Sequence, residues 1–165
     1  MSEEDLFQKA KDHLIPRDFY FRNSKLHLNK NFEPKYYIGK LASQLKYQMK
    51  ETQTATITEK HEEQEEVSIQ LFRVEMELGV RIVDPQISSI EDQDSEKALG
   101  CIKAEITGRY IAEYMIDIDD MEPEALRLFT ERNVIYHVWP FWREFVMDML
   151  QRARLPRVVL PTIQI

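Results

Sequence analysis

The chain has 165 residues, 43% of them hydrophobic, and a formal net charge of −7: the size of one domain whose core closes without cross-links. Its single cysteine, Cys101, excludes an intramolecular disulfide framework and suits a reducing compartment, and an acidic chain does not bind nucleic acid through bulk electrostatics. The four glycines form no phosphate-cradling loop, the acidic start is no signal peptide, and no apolar run approaches the about 18 residues of a spanning helix, so the expectation is a cytoplasmic protein without membrane insertion.

Residues 3–14 predict a helix, capped by Ser2, with Glu3, Glu4 and Asp5 at the positive end of its dipole. Leu6, Ala10 and Leu14 share one face, and Pro16 is the expected terminator. Residues 18–28 predict a strand. Phe19 and Phe21 lie on one face and Leu26 and Leu28 take the opposite phase, which calls for a bulge or turn near Asn23-Ser24. Residues 29–66 are hard to read. Phe32-Glu33-Pro34 predicts a loop. Ile38, Leu41 and Leu45 have helical spacing, yet the Thr-rich run 52–58 favours strand. The charged block from His61 to Glu66 predicts a solvated hairpin tip or loop.

Residues 67–83 predict a strong strand whose alternation changes phase at Phe72-Arg73. Asp84-Pro85 breaks it, and 86–97 reads as a polar loop. Residues 100–118 give the longest alternation. Ile102, Ala104, Ile106, Gly108, Tyr110, Ala112, Tyr114, Ile116 and Ile118 occupy one face, and charged residues occupy much of the other, with Gly108 as the expected bend. One apolar and one polar face indicate an antiparallel sheet. Residues 122–133 predict a helix with Pro123 in its first turn, and a second helix is expected from Pro140 to about Arg152. Strands first and helices after them give an α+β fold, an antiparallel β-sheet with helices packed on one face.

Few residues suggest chemistry. The histidines lack the spacing of a zinc site, and no HExxH occurs. His61 beside Glu62 and Glu63 reads as a charged loop rather than a metal site. Cys101 reads as core or edge filler, and Asp119-Asp120 as a turn and helix entry. Arg152, Arg154 and Arg157 read as solvated surface rather than a phosphate site. No catalytic residue, metal ligand or cofactor is expected, and the protein is not expected to be an enzyme. Aromatics are the richer signal. Phe32, Tyr36, Tyr37, Tyr110, Tyr114, Trp139, Phe141 and Trp142 offer large rigid contact area, and their alternatives are core or binding surface.

The segment Val138-Trp139-Pro140-Phe141-Trp142-Arg143-Glu144 resembles the Leu-Phe-Pro-Tyr-Ala-Arg-Glu motif that opens the long helix of SecB, the bacterial export chaperone. Twelve residues beyond Glu144, Pro156 falls where the SecB helix-to-tail proline falls. Arg152 matches the arginine of the helix-ending Ser-Arg-Gly, with Ala153 in place of the glycine, and Leu160-Pro161 resembles the Leu-Ala-Pro of the tail. Upstream, Asp18-Phe-Tyr-Phe21 resembles the first SecB strand, Asp-Ile-Ser-Phe. Asn31-Phe32-Glu33-Pro34 resembles Asp-Trp-Gln-Pro in the following crossover.

This resemblance implies a SecB-like domain over 17–165, preceded by a helical extension over 1–16. It implies an ATP-independent holdase that binds unfolded or export-competent polypeptides in an apolar groove, with Phe32, Pro34, Tyr36, Tyr37 and Ile38 as groove residues. It implies a homo-oligomer, dimer or tetramer, with Phe19, Phe21, Trp139, Phe141, Trp142, Phe145 and Met149 at subunit contacts. The chain stops at Ile165, about where SecB begins its final helix and acidic metal-binding tail, and Arg22 replaces an acidic motor-contacting residue while Asp18 and Glu105 keep acidic character, which puts docking to SecA in doubt. Two other roles fit the same residues: a dedicated chaperone of a toxin–antitoxin system protecting an antitoxin, or an oligomeric adaptor without client surface.

Overall fold

The computed structural model describes residues 1–165 except His61, Gln64, Val159, Gln164 and Ile165. In chain order it has α1 (Glu3–His13), β1 (Leu14–Leu28), a 3-10 turn (Pro34–Tyr36), β2 (Ala42–Glu59), β3 (Val67–Val83), a second 3-10 turn (Pro85–Ser89), α2 (Glu96–Cys101), β4 (Ile102–Ile116), α3 (Pro123–Arg132) and α4 (Val134–Arg152). The strands form one sheet in the order β1-β4-β3-β2. Neighbours run antiparallel. The end of β1 leads to Asn29, whose N–H donates to the Lys103 carbonyl near the start of β4, while the Asp117 N–H just past β4 donates to His13 just before β1. This is the α+β architecture expected from strands followed by helices.

Local chemistry explains the boundaries. Ser2 and Asp5 form a reciprocal capping box at α1, a device worth about 1 kcal/mol. The helix ends at His13, three residues before Pro16. Leu14 donates back to Ala10, and the His13 carbonyl is taken up by the sheet at 3.3 Å. Pro16 lies instead in β1, an edge strand, where a missing N–H costs no ladder bond if it faces solvent. The same strand runs unbroken through Asn23-Ser24, so the anticipated turn there is absent.

The ambiguous region 42–59 is strand, not helix. Nearly every β2 residue is exposed, so sheet pairing rather than an apolar face decides its conformation. In β3 the phase change is visible as two consecutive buried residues, Leu71 and Phe72, at 1% and 2% exposure. The stretch read as polar loop contains a 3-10 turn and α2, the latter capped by Ser95 onto the Ala98 N–H. These pack a small cluster of Val83, Ile87, Ala98 and Cys101, which places the lone cysteine as buried filler.

By internal packing the chain divides into two compact units, residues 1–22, 49–76 and 110–139, and residues 23–48, 77–109 and 140–165. In the first, α1 packs on α3. Ala10 is fully buried, Arg132 lies over the Phe7 ring at 5.6 Å, and Lys9 reaches Glu122 at 3.0 Å. Tyr114 centres an aromatic core, with Phe129 edge-on at 5.0 Å and Phe19 edge-on at 5.8 Å. The opposite sheet face of this unit is polar: Tyr20 donates to Glu113 at 2.8 Å, and Arg73 bonds Glu113, Tyr20 and Gln53. In the second unit Glu77 pairs with Lys46 and Arg109, and Arg81 with Glu105.

The last helix begins at Val134, not at Pro140. A proline inside a helix costs about 3 kcal/mol, so sequence rules place it in a first turn. Here Val134, Ile135, Val138 and Trp139 are buried at 0–6% exposure, and that burial offsets the lost hydrogen bond. Among the described residues no helix is long and apolar enough to cross a membrane.

Candidate functional site

The second unit holds an open groove of about 770 Å³. One wall is the crossover after β1, the other the C-terminal half of α4 and the segment that follows it. The crossover is pinned from below. Asn29 donates through its backbone to Lys103 at 2.8 Å and through its side chain to Ile102 at 3.3 Å. Phe32 is buried at 5% exposure and takes the Tyr37 ring edge-on at 5.3 Å. Gly39 adopts φ 157°, a conformation that a side chain would strain, and a Cβ there would crowd that same ring at 3.0 Å. With Phe32 and Tyr37 anchored, the residues between and beyond them project outward: Tyr36 is 72% and Ile38 98% exposed.

The second wall is shaped by how α4 stops. Leu155 donates its N–H to Leu150 at 2.9 Å and Arg154 donates to Gln151 at 3.2 Å, the bond pair of a Schellman terminus. That motif requires a left-handed residue, and Arg154 supplies it at φ 56°, where glycine is the usual occupant. Beyond the turn, Leu155 and Leu160 are buried at 7% and 1% exposure. Met147, Leu150, Leu155 and Val158 form an apolar lining opposite Pro34, with Lys35, Arg154 and Arg157 among the polar groups around it.

Of the residues expected in a groove, Pro34 lines it. Tyr36 and Ile38 are exposed on the same crossover, Tyr37 is half-buried, and Phe32 is an internal anchor. The residues expected at subunit contacts also divide. Trp142 is fully buried and Trp139 nearly so, while Phe141 is 46% exposed and Phe145 and Met149 are half-buried along the same side of α4. Phe19 is half-buried against Tyr114, and Phe21 lies 4.0 Å from Tyr110, ring centre to ring centre. Sequence reasoning missed Met147, Leu150, Gln151 and Leu155 as lining. The available signal was the arginine run beside them, which by itself reads as solvated surface. The first unit has its own smaller cleft, about 420 Å³, lined by Met49, Phe72, Leu126 and Thr130 among others.

Titratable groups are placed for structure. The Tyr114 hydroxyl lies 2.8 Å from His137 Nδ1. Burial pushes the Tyr114 pKa up and the His137 pKa below its ordinary 6.5. The two groups share one hydrogen bond, whose direction is set by the imidazole tautomer. Between the folded and unfolded pKa of His137, the unfolded chain binds more protons. Stability from this group is fully present above about pH 6.5 and is lost as pH falls toward the folded value. Thermal melts from pH 7.5 to 5.5 should show a falling Tm for the native chain and a shallower fall for His137→Gln; equal slopes would remove His137 from the account. Asp120 and Glu122 face Lys9, and Cys101 belongs to its apolar cluster. His61, the histidine of the charged loop, lies outside the described residues. Among the described residues no group of three or more His, Cys, Asp or Glu could hold a metal ion.

No family model matches the chain, and no curated protein sequence matches it. A solved structure does: the SecB-like chaperone Rv1957 of Mycobacterium tuberculosis, in complex with a ChAD peptide from the Rv1956 HigA1 antitoxin. The likeness covers 97% of each chain with a TM-score of 0.65 and 15% sequence identity. On that likeness, this chain has the SecB-like fold.

Proposed function

We propose that this protein is an ATP-independent holdase that keeps unfolded or export-competent polypeptide segments soluble in an apolar groove. The observation that carries the reading is the open groove of the second unit beside two large apolar side chains, Tyr36 and Ile38, held in solvent by a pinned crossover. Exposed apolar surface of this kind marks interaction sites, and an extended chain binds such a groove by shape-tolerant contact without covalent chemistry. Phe141, Phe145 and Met149 of α4, with β1, are the proposed contacts of a cytoplasmic homo-oligomer. Aggregation of a chemically denatured client, followed by light scattering, should be suppressed at near-equimolar protein and be indifferent to ATP. Unchanged scattering at a several-fold excess would count against the reading and favour an adaptor role.

A second reading is a dedicated chaperone that protects one antitoxin. It is favoured by the structural neighbour, which was solved with an antitoxin peptide. Adjacent toxin and antitoxin genes, and a client whose half-life in cells depends on this protein alone, would support it over the general holdase.

A further inference from the structure

We propose that the groove of the second unit selects apolar segments flanked by acidic residues, with Lys35, Arg154 and Arg157 as the selecting charges; this deepens the holdase reading and rests on it. The lining formed by Met147, Leu150 and Leu155 accepts apolar side chains, and the charged residues around it are Lys35, Arg154 and Arg157 against one acid. The groove's acid, Asp148, is already bonded to Arg152 at 2.7 Å. Lys35, Arg154 and Arg157 have no ion-pair partner among the described residues. A chain of net charge −7 thus gathers around one apolar groove three cations without an ion-pair partner among the described residues, one of which, Lys35, lies over the Tyr36 ring at 5.4 Å. At physiological ionic strength charges are screened beyond about 8 Å, so a peptide in the groove feels this rim more than the acidic surface elsewhere.

Arg154 adds an independent observation. It occupies the left-handed position of the Schellman turn at φ 56°, which disfavours any residue with a Cβ. Cations near a helix C-terminus also answer its dipole, but that benefit is available from ordinary conformations and does not require an arginine at the strained site. A strained residue whose side chain lines a groove is where backbone cost and binding role coincide.

The test uses the full-length protein and two labelled peptides that share one apolar stretch, flanked by glutamates in one and lysines in the other. Binding is followed by fluorescence anisotropy at about 0.15 M salt. Three exposed charge pairs of ordinary strength together predict about a tenfold preference for the acidic-flanked peptide. The combined substitution Lys35→Ser, Arg154→Gly and Arg157→Ser should reduce that preference to about twofold or less. Arg154→Gly alone should leave Tm unchanged or raise it, since glycine adopts the left-handed turn without strain, so lost preference cannot be assigned to unfolding. Equal binding of both peptides by the native chain, or a preference for lysine, overturns the inference and leaves the holdase reading standing. Binding of neither peptide overturns both.

Discussion

Trp142→Ala should cost about 3–5 kcal/mol of unfolding free energy, the range for removing a fully buried large aromatic. Trp142 has no exposed surface, its ring centre lies 5.8 Å from that of Phe145, and it shares a buried helix face with Val146 and Leu150. The adjacent Phe141 is the internal control. It is 46% exposed, so Phe141→Ala should cost no more than about 1 kcal/mol. Urea unfolding of the two variants should separate them clearly. Similar losses would mean that Phe141 is covered in solution, as a subunit contact requires. Native mass as a function of concentration would then test that cause directly.

Combining Ile38→Ser with Met147→Gln should weaken client holding at least about tenfold while leaving the chain folded. Each apolar side chain fully removed from water by a client is worth about 1.5–3 kcal/mol, and loss of half that from the pair already amounts to more than a tenfold change. Ile38 is 98% and Met147 40% exposed in the single chain, and glutamine keeps good helix propensity at position 147. Stability should therefore stay within about 1 kcal/mol of the native value. The measurement is the protein concentration that halves client aggregation, with melting of each variant as the folding check. An unchanged midpoint would move the client surface away from this groove, toward the cleft of the first unit.

Much of the fold was legible because its strongest signals are two-faced. In β4 the buried Ala104, Ile106, Tyr110, Ala112 and Tyr114 alternate with partly exposed Lys103, Glu105, Thr107, Arg109 and Glu113, and period two can be read directly. In β3 a phase change was legible for the same reason, although the spacing put it at Phe72-Arg73, one residue after the buried pair Leu71-Phe72. β2 offered no such contrast: it is held by its neighbour rather than by an apolar face, so helical spacing of Ile38, Leu41 and Leu45 competed with the threonine run. The start of α4 was hidden by a local rule, since proline in a first turn is the commoner arrangement and only burial of Val134 and Val138 reveals the extra turns. The site was legible on one wall only. Asn31-Phe32-Glu33-Pro34 marked the crossover, whereas Met147 and Arg154 become lining only once the chain turns after α4. That turn occurs at an arginine, a residue type that carries no turn signal.

The long exposed edge strand β2 has a further consequence, for the solubility of the protein itself. Residues 52–58, Thr-Gln-Thr-Ala-Thr-Ile-Thr, are uncharged, free of proline and rich in β-branched side chains, the composition that stacks into cross-β fibrils. They sit on an open sheet edge, the place where a foreign strand could be templated. Glu51 and Glu59 bound the segment, with Lys50 and Lys60 beside them, and such flanking charges act as gatekeepers against edge-to-edge growth. Without them the edge would offer a seed to any extended chain, and these four charges let it stay open without becoming one.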